Sequence, residues 1–176
     1  SGLWWIKDRV NANQHQLVDS VRGGNLAYQM PANNGDQAYV APSGDSVAWC
    51  WNYDAANPSV NGFEIQTYTG NGSNPRQFTH SLGKMPEFVH VCYRQNSGTQ
   101  QVHTNHVSLN GFPNSLIYLS SNNAAIANSA FSGTWDDAQW GVGGSATNTS
   151  GRNYVAYLWT SIPGYSAFGN YTGNSS

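Results

Sequence analysis

Two glutamates, Glu64 and Glu87, stand among nine acidic residues, and glycoside hydrolysis is the chemistry that a pair of carboxyl groups most directly supports. That reaction needs both groups flanking one bond, at roughly 5 to 9 Å depending on stereochemistry. Glu64 lies in Gly62-Phe63-Glu64-Ile65-Gln66, where strand alternation sets it opposite Phe63 and Ile65 and hence toward solvent, and Glu87 follows Pro86 at a strand entrance. Neither belongs to a Glu-x-Asp-x-Glu pattern, so both read as solvated strand charges. His103 and His106, in Val102-His103-Thr104-Asn105-His106, are weak candidates for metal ligands, with Asp136 and Asp137 as further oxygen donors. Histidines three apart meet on a helix but point to opposite faces of a strand, so hydrogen-bonded imidazoles are expected, with no metal and no other cofactor. No Gly-x-Ser-x-Gly elbow is present, and nucleophilic catalysis has no support. The chain reads as a non-enzyme.

Recognition has a better candidate. Gly133-Thr134-Trp135-Asp136-Asp137-Ala138-Gln139-Trp140-Gly141 carries two indoles and two carboxylates in one short segment. A sugar ring needs a flat aromatic surface for its apolar face and acceptors for its hydroxyls, which makes Trp135, Asp136, Asp137 and Trp140 the candidate glycan-binding residues. The competing reading is a hydrophobic bracket, with both tryptophans inward and the aspartates making a turn. Asp19-Ser20-Val21-Arg22-Gly23 offers an ion pair that ties a strand end to a glycine turn. Cys50 and Cys92 each sit in an apolar aromatic run and read as small buried hydrophobes, and their spacing leaves a disulfide open.

The elements that must carry these residues follow from composition. Asn, Ser, Gly and Thr fill 70 of 176 positions while charged residues make up only 9%, which excludes long salt-bridged helices. Aromatic residues, at 13%, supply a core. Seven basic residues scattered from Lys7 to Arg152 make no stripe for phosphates, so no nucleic acid is expected as partner. No apolar run approaches the ~20 residues that span a bilayer, so no membrane insertion is expected. The opening at Ser1, without Met or an apolar leader, reads as a processed or excised start. Runs of β-formers between turn clusters predict strands at Leu3–Lys7, Gln16–Val21, Val47–Tyr53, Phe63–Tyr68, Phe88–Arg94, Leu116–Ser120, Gln139–Val142 and Tyr154–Thr160. Turns are predicted at Asn33-Asn34-Gly35, Asn71-Gly72, Ser97-Gly98, Asn110-Gly111 and Ser150-Gly151. This is the pattern of an all-β antiparallel sandwich. Val47–Tyr53, Phe88–Tyr93 and Tyr154–Trp159 are apolar on both faces and are expected at sheet centres or against a neighbouring domain, leaving edges to Asn- and Gln-rich segments.

The sequence also repeats. Val47-Ala48-Trp49-Cys50-Trp51 returns as Val155-Ala156-Tyr157-Leu158-Trp159, and Leu3–Arg9 shares its aromatic-to-basic cadence with Phe88–Arg94. Gly62-Phe63 followed by Tyr68-Thr69-Gly70-Asn71 returns as Gly164-Tyr165 followed by Tyr171-Thr172-Gly173-Asn174. One domain over 1–176 is expected, with an internal pseudo-repeat whose copies cover about 1–73 and about 82–176, and the whole reads as a window of a longer array.

Trp5-Ile6-Lys7-Asp8-Arg9, His15 to Gly23, Val47 to Trp51, Tyr68 to Gly72 and Leu82 to Val89 together resemble the repeating β-rich module of virion fibre and tail proteins in marine cyanophages and related phages. The second copy departs from that pattern, with His106-Val107-Ser108-Leu109-Asn110-Gly111 where Asp-Ser-Val-Arg-Gly would stand. The resemblance implies a lectin-like, concanavalin-type or jelly-roll sandwich displayed on the virion surface, with no catalytic residues to carry across. Its implied partners are other virion subunits or copies of itself, and a host cell-surface glycan. The rival readings are a cellular carbohydrate-binding module or lectin, a glycan depolymerase, and a purely architectural subunit.

Overall fold

The structure, a computed structural model, describes residues 1–30, 35–95, 102–118 and 124–174. It is an all-β antiparallel sandwich. Its first sheet holds β1 (Gly2–Asp8), β2 (His15–Asp19), β3 (Leu26–Met30), β4 (Asp36–Ala38) and β5 (Ser46–Asn52) in the order β4-β3-β2-β1-β5. The first four form a meander, and β5 returns to lie beside β1, a Greek-key connection. A short helix α1 (Pro58–Asn61) then leads across to β6 (Phe63–Thr69) in the second sheet. That sheet adds β8 (Phe88–Tyr93), β9 (Val102–His106) and β13 (Asn153–Trp159) in the order β6-β13-β8-β9. A ribbon of β7 (Arg76–Thr79) with β12 (Gln139–Val142), a small hairpin of β10 (Ser115–Leu116) with β11 (Ile126–Ala127), and the turn α2 (Gly144–Thr147) complete the elements.

Alternation along each strand builds two apolar layers. Leu3, Leu17 and Tyr28 of the first sheet meet Phe63, Ile65, Cys92, Val155, Tyr157 and Trp159 of the second, and this is the sandwich core. The opposite face of the second sheet, carrying Tyr68, Val89, Val91, Tyr154 and Leu158, is covered by Leu116, Phe131, Trp140 and Val142. Buried on both faces, β13 and most of β8 read as continuous apolar runs in the sequence, as expected of central strands.

Three expectations are corrected here. The run Val47–Tyr53 is not central: among the described residues β5 is an edge strand with one neighbour, and Trp49 is 47% exposed. Cys50, in the same strand, is exposed rather than buried, whereas Cys92 is buried, and both are free thiols. Glu64 is not solvated. Alternation does turn it away from Phe63, but the ribbon and the segment at Ser81 cover that face, and Glu64 is buried with its carboxylate accepting from Ser81 N at 2.7 Å and Gln66 Nε2 at 2.6 Å.

The two repeated blocks reappear as two strand pairs in one register. Leu3 stands opposite Trp51 and Trp5 opposite Trp49 in the first sheet, and Phe88 stands opposite Trp159 and His90 opposite Tyr157 in the second. Matching positions also meet across the core: Trp5 stacks on His90 with ring centroids 6.2 Å apart, and Trp51 meets Trp159 edge-on at 5.5 Å. The third sequence match does not extend to secondary structure, because Phe63–Thr69 is a strand while residues 167–174 have no regular structure.

Candidate functional site

The segment at 133–141 forms the bracket. Trp140 is fully buried, lies stacked at 5.2 Å on Phe78, and donates from Nε1 to Gln66 Oε1 at 3.0 Å. Trp135 is half-buried, with Phe112, Phe131 and Trp140 packed edge-on to its ring. Asp136 Oδ1 accepts from Ala138 N and Gln139 N, each at 2.8 Å, and Asp137 Oδ1 accepts from Met85 N at 2.9 Å. The four residues are brought together, but Trp140 presents no face to a ligand and both aspartates use an oxygen to hold backbone. Of the weak metal candidates, His106 shares its Nδ1 with Ser108 and packs against Phe88, and the side chain of His103 lies outside the described residues. No cluster of three or more His, Cys, Asp or Glu side chains suited to a metal occurs among the described residues.

The ion pairs among the described residues gather in one cluster. Asp19 ends β2 and caps the following turn by accepting from Arg22 N at 2.8 Å. Arg22 then folds back into the core. Its Nε meets Asp19 Oδ2 at 2.5 Å, its Nη1 meets Asp36 Oδ1 at 2.5 Å, and its Nη2 donates to Leu17 O and Tyr157 Oη, each at 2.9 Å. Tyr157 donates in turn to Asp19 Oδ2 at 2.8 Å, and Arg94 braces Asp36 at 2.7 Å. Burial opposes the charge on Arg22, but Tyr157, Asp19 and Asp36 outweigh it and hold its pKa above the ordinary arginine value. Burial likewise drives the Tyr157 hydroxyl well above the usual phenol range. Asp19, Arg22, Asp36 and Tyr157 all find their partners within the protein, and the cluster ties the two sheets together.

An open site lies elsewhere, on the outer face of the first sheet. Leu17 and Tyr28 point into the core, so their neighbours Gln16 and Gln29, which stand opposite each other across β2 and β3, point outward. They floor a cleft of about 470 Å³, within the usual size range of small-ligand sites. One wall is the loop after β1, which Asp8 organises: its carboxylate accepts from Val10 N, Asn11 N, Asn11 Nδ2 and Asn13 Nδ2 at 2.8 to 3.0 Å. Those bonds, from Asn11 N foremost, hold the Asp8 carboxyl well below the usual carboxylate range. The other wall, Val40 to Ser43, is tied to the floor by Gln16 Nε2 donating to Val40 O at 3.0 Å. Gln16 Oε1 is buried without a partner, and the side-chain amides of Gln14 and Gln29 make no hydrogen bond among the described residues. The cleft therefore offers spare amide donors and acceptors, apolar patches from Ala12, Val40 and Pro42, and one carboxylate already committed to its own loop.

Sequence reasoning missed this cleft. The available signal was the density of amides in Asn11, Asn13, Gln14 and Gln16, but without the fold nothing brings Gln29 and Val40 to them. No curated protein and no solved structure matches the chain. Residues 28–176, from within β3 to the last residue of the sequence, match the model of a domain of unknown function, DUF7483, and the chain belongs to that family.

Proposed function

We propose that this chain is a non-enzymatic structural and adhesive module, of the kind the sequence resemblance places in phage tail fibres, which assembles with copies of itself and holds an uncharged polyhydroxylated ligand such as a host glycan in the cleft between Gln16, Gln29 and Val40. The observation that carries this reading is the unspent amides on the cleft floor and wall, set beside apolar patches and without a free charge. Amides exchange hydrogen bonds with hydroxyls as both donors and acceptors, and small apolar surfaces accept the C–H face of a sugar ring. The one carboxylate in the cleft, Asp8, is fully occupied by its own loop, which favours holding a ligand over cleaving one. Weak single-site affinity is raised by repetition, since linked copies bind through effective concentration.

A glycan array read at two ionic strengths tests this. Binding should change less than about twofold from 0.05 to 0.5 M salt, because no exposed charge contributes, and Gln29→Ala should weaken it about tenfold. A steep loss with salt, no glycan bound, or release of reducing ends from a polysaccharide would overturn the reading.

A further inference from the structure

The two matched strand pairs are not equally covered. In the second sheet β13 lies between β8 and β6. Its counterpart β5 has β1 on one side, and no strand among the described residues on the other. That edge is seven residues long, Ser46-Val47-Ala48-Trp49-Cys50-Trp51-Asn52, with no lysine, proline or acidic residue to discourage pairing.

The sequence contains a partial match to the strand that fills this place on β13. β6 follows Gly62, which has a left-handed φ of 58°, buries Phe63 and Tyr68, and ends in Thr69-Gly70-Asn71. The segment from Gly164 starts with a φ of 78° and carries Tyr171-Thr172-Gly173-Asn174 in line with Tyr68-Thr69-Gly70-Asn71, while Tyr165, which follows Gly164 as Phe63 follows Gly62, stands one residue farther from its second tyrosine. Those two tyrosines are 80% and 93% exposed, the most exposed of the molecule's large hydrophobic side chains among the described residues. A segment that repeats the end of β6 with its tyrosine in water and a strand edge with its ladder unpaired are complementary.

We propose that the free edge of β5 is the docking site for residues 164–174 of a second copy of this chain, which add there as the strand that β6 supplies to β13. The inference rests on the assembly half of the proposed function. The occupant is a neighbour's segment because each chain's own is turned away. Phe168 stacks at 5.8 Å on Phe88 of β8, on the side of β13 away from β6, whereas the free edge of β5 lies on the β6 side, with Trp51 against Phe63. Such a contact is heterologous and propagates into a head-to-tail array. Carrying the β6–β13 register over from Tyr68 opposite Tyr154 sets Tyr171 opposite Ser46, Phe168 opposite the exposed Trp49, and Ala167 opposite Cys50, a pairing in which Phe168 exchanges its contacts with Phe88 and Ser161 of its own chain for the neighbour's edge.

Sedimentation of the full chain over a concentration series tests this. Association is expected, and Tyr171→Pro, at a site too exposed to unfold the sandwich, should weaken it at least about tenfold. Opposed residues of an antiparallel pair sit close enough for a disulfide, so Ala167→Cys should oxidise to covalent oligomers through Cys50, and Cys50→Ser should abolish them. Association unchanged by Tyr171→Pro would overturn the docking while leaving self-assembly standing, through edges pairing with each other. A chain monomeric at about 1 mM would overturn both.

Discussion

Arg22→Met removes the cation at the centre of the buried cluster while keeping much of its side-chain volume. In the native chain Asp19 is fully buried and receives Arg22 Nε, Arg22 N and Tyr157 Oη; without the guanidinium only the last two remain, neither of them charged. Asp36 keeps Arg94. The dominant cost is thus one uncompensated buried carboxylate, together with the carbonyl of Leu17 and the hydroxyl of Tyr157, which each lose a donor. Breaking a buried pair in this way costs about 3 to 5 kcal/mol, a large share of the ~5 to 15 kcal/mol that holds a domain folded. Because its pKa is raised in the fold, Arg22 contributes below its unfolded-state value, which covers the whole working pH range, so no titration of the arginine masks the effect. Urea unfolding followed by tryptophan fluorescence measures the change, with the midpoint falling and the slope unchanged. The double variant Asp19→Asn, Arg22→Met should recover at least ~1.5 kcal/mol relative to the sum of the singles, since it removes the stranded charge. A loss under ~1 kcal/mol for Arg22→Met, the value of a surface pair, or additive singles, would refute the view that this cluster joins the sheets through buried charge.

Two further outcomes are expected. Trp135→Ala should lower stability by about 2 to 3 kcal/mol through lost packing on Phe112, Phe131 and Trp140, and should leave ligand binding in the cleft unchanged; selective loss of binding would return the site to the bracket. His15 accepts from Trp5 Nε1 at 2.7 Å through Nδ1, and burial, followed by Lys7, lowers its pKa from the usual 6.5. A fold that disfavours protonation contributes fully above about pH 6.5 and loses that contribution as pH falls, so thermal stability should decline from pH 7 to 5 and decline less in His15→Gln; equal slopes would remove His15 from the account.

How much was legible in the sequence depended on whether neighbours or distance decided each feature. Gln139–Val142 was predicted to the residue, and Phe63–Tyr68 and Phe88–Arg94 to within one, because runs of β-formers bounded by turns are local signals. Leu26–Met30 and Arg76–Thr79 were missed because glutamines and other polar residues interrupt them, and Val102–His106, legible only as strand or loop, is a strand; pairing with neighbouring strands supplies what local preference lacks. Predicted strand Leu116–Ser120 survives as Ser115–Leu116, with Leu119 and Ser120 outside the described residues, as are Asn33, Asn34 and the turn at Ser97-Gly98. The aspartate-arginine pair was legible as a turn, since both ends lie within four residues. Its burial was not, because Asp36 and Tyr157 arrive from two other strands and Arg94 from just beyond a third.

The misplaced strand is the most informative of these. Val47-Ala48-Trp49-Cys50-Trp51 and Val155-Ala156-Tyr157-Leu158-Trp159 follow one pattern and keep one register with their partners, yet Tyr157 and Leu158 are fully buried while Trp49 and Cys50 are exposed. No rule of periodicity separates two segments with the same periodicity. What differs is covering: β13 has β6 at its side and the Trp140 layer on its outer face, and among the described residues β5 has neither. An apolar strand kept in a sheet edge costs solubility unless something pairs with it, so the failed expectation marks a place where the chain alone leaves its own pattern unfinished. The exposed Tyr171, in a segment that repeats the end of β6, is the same defect seen from the other side, a strand pattern without a sheet. The contact between copies proposed above would complete both.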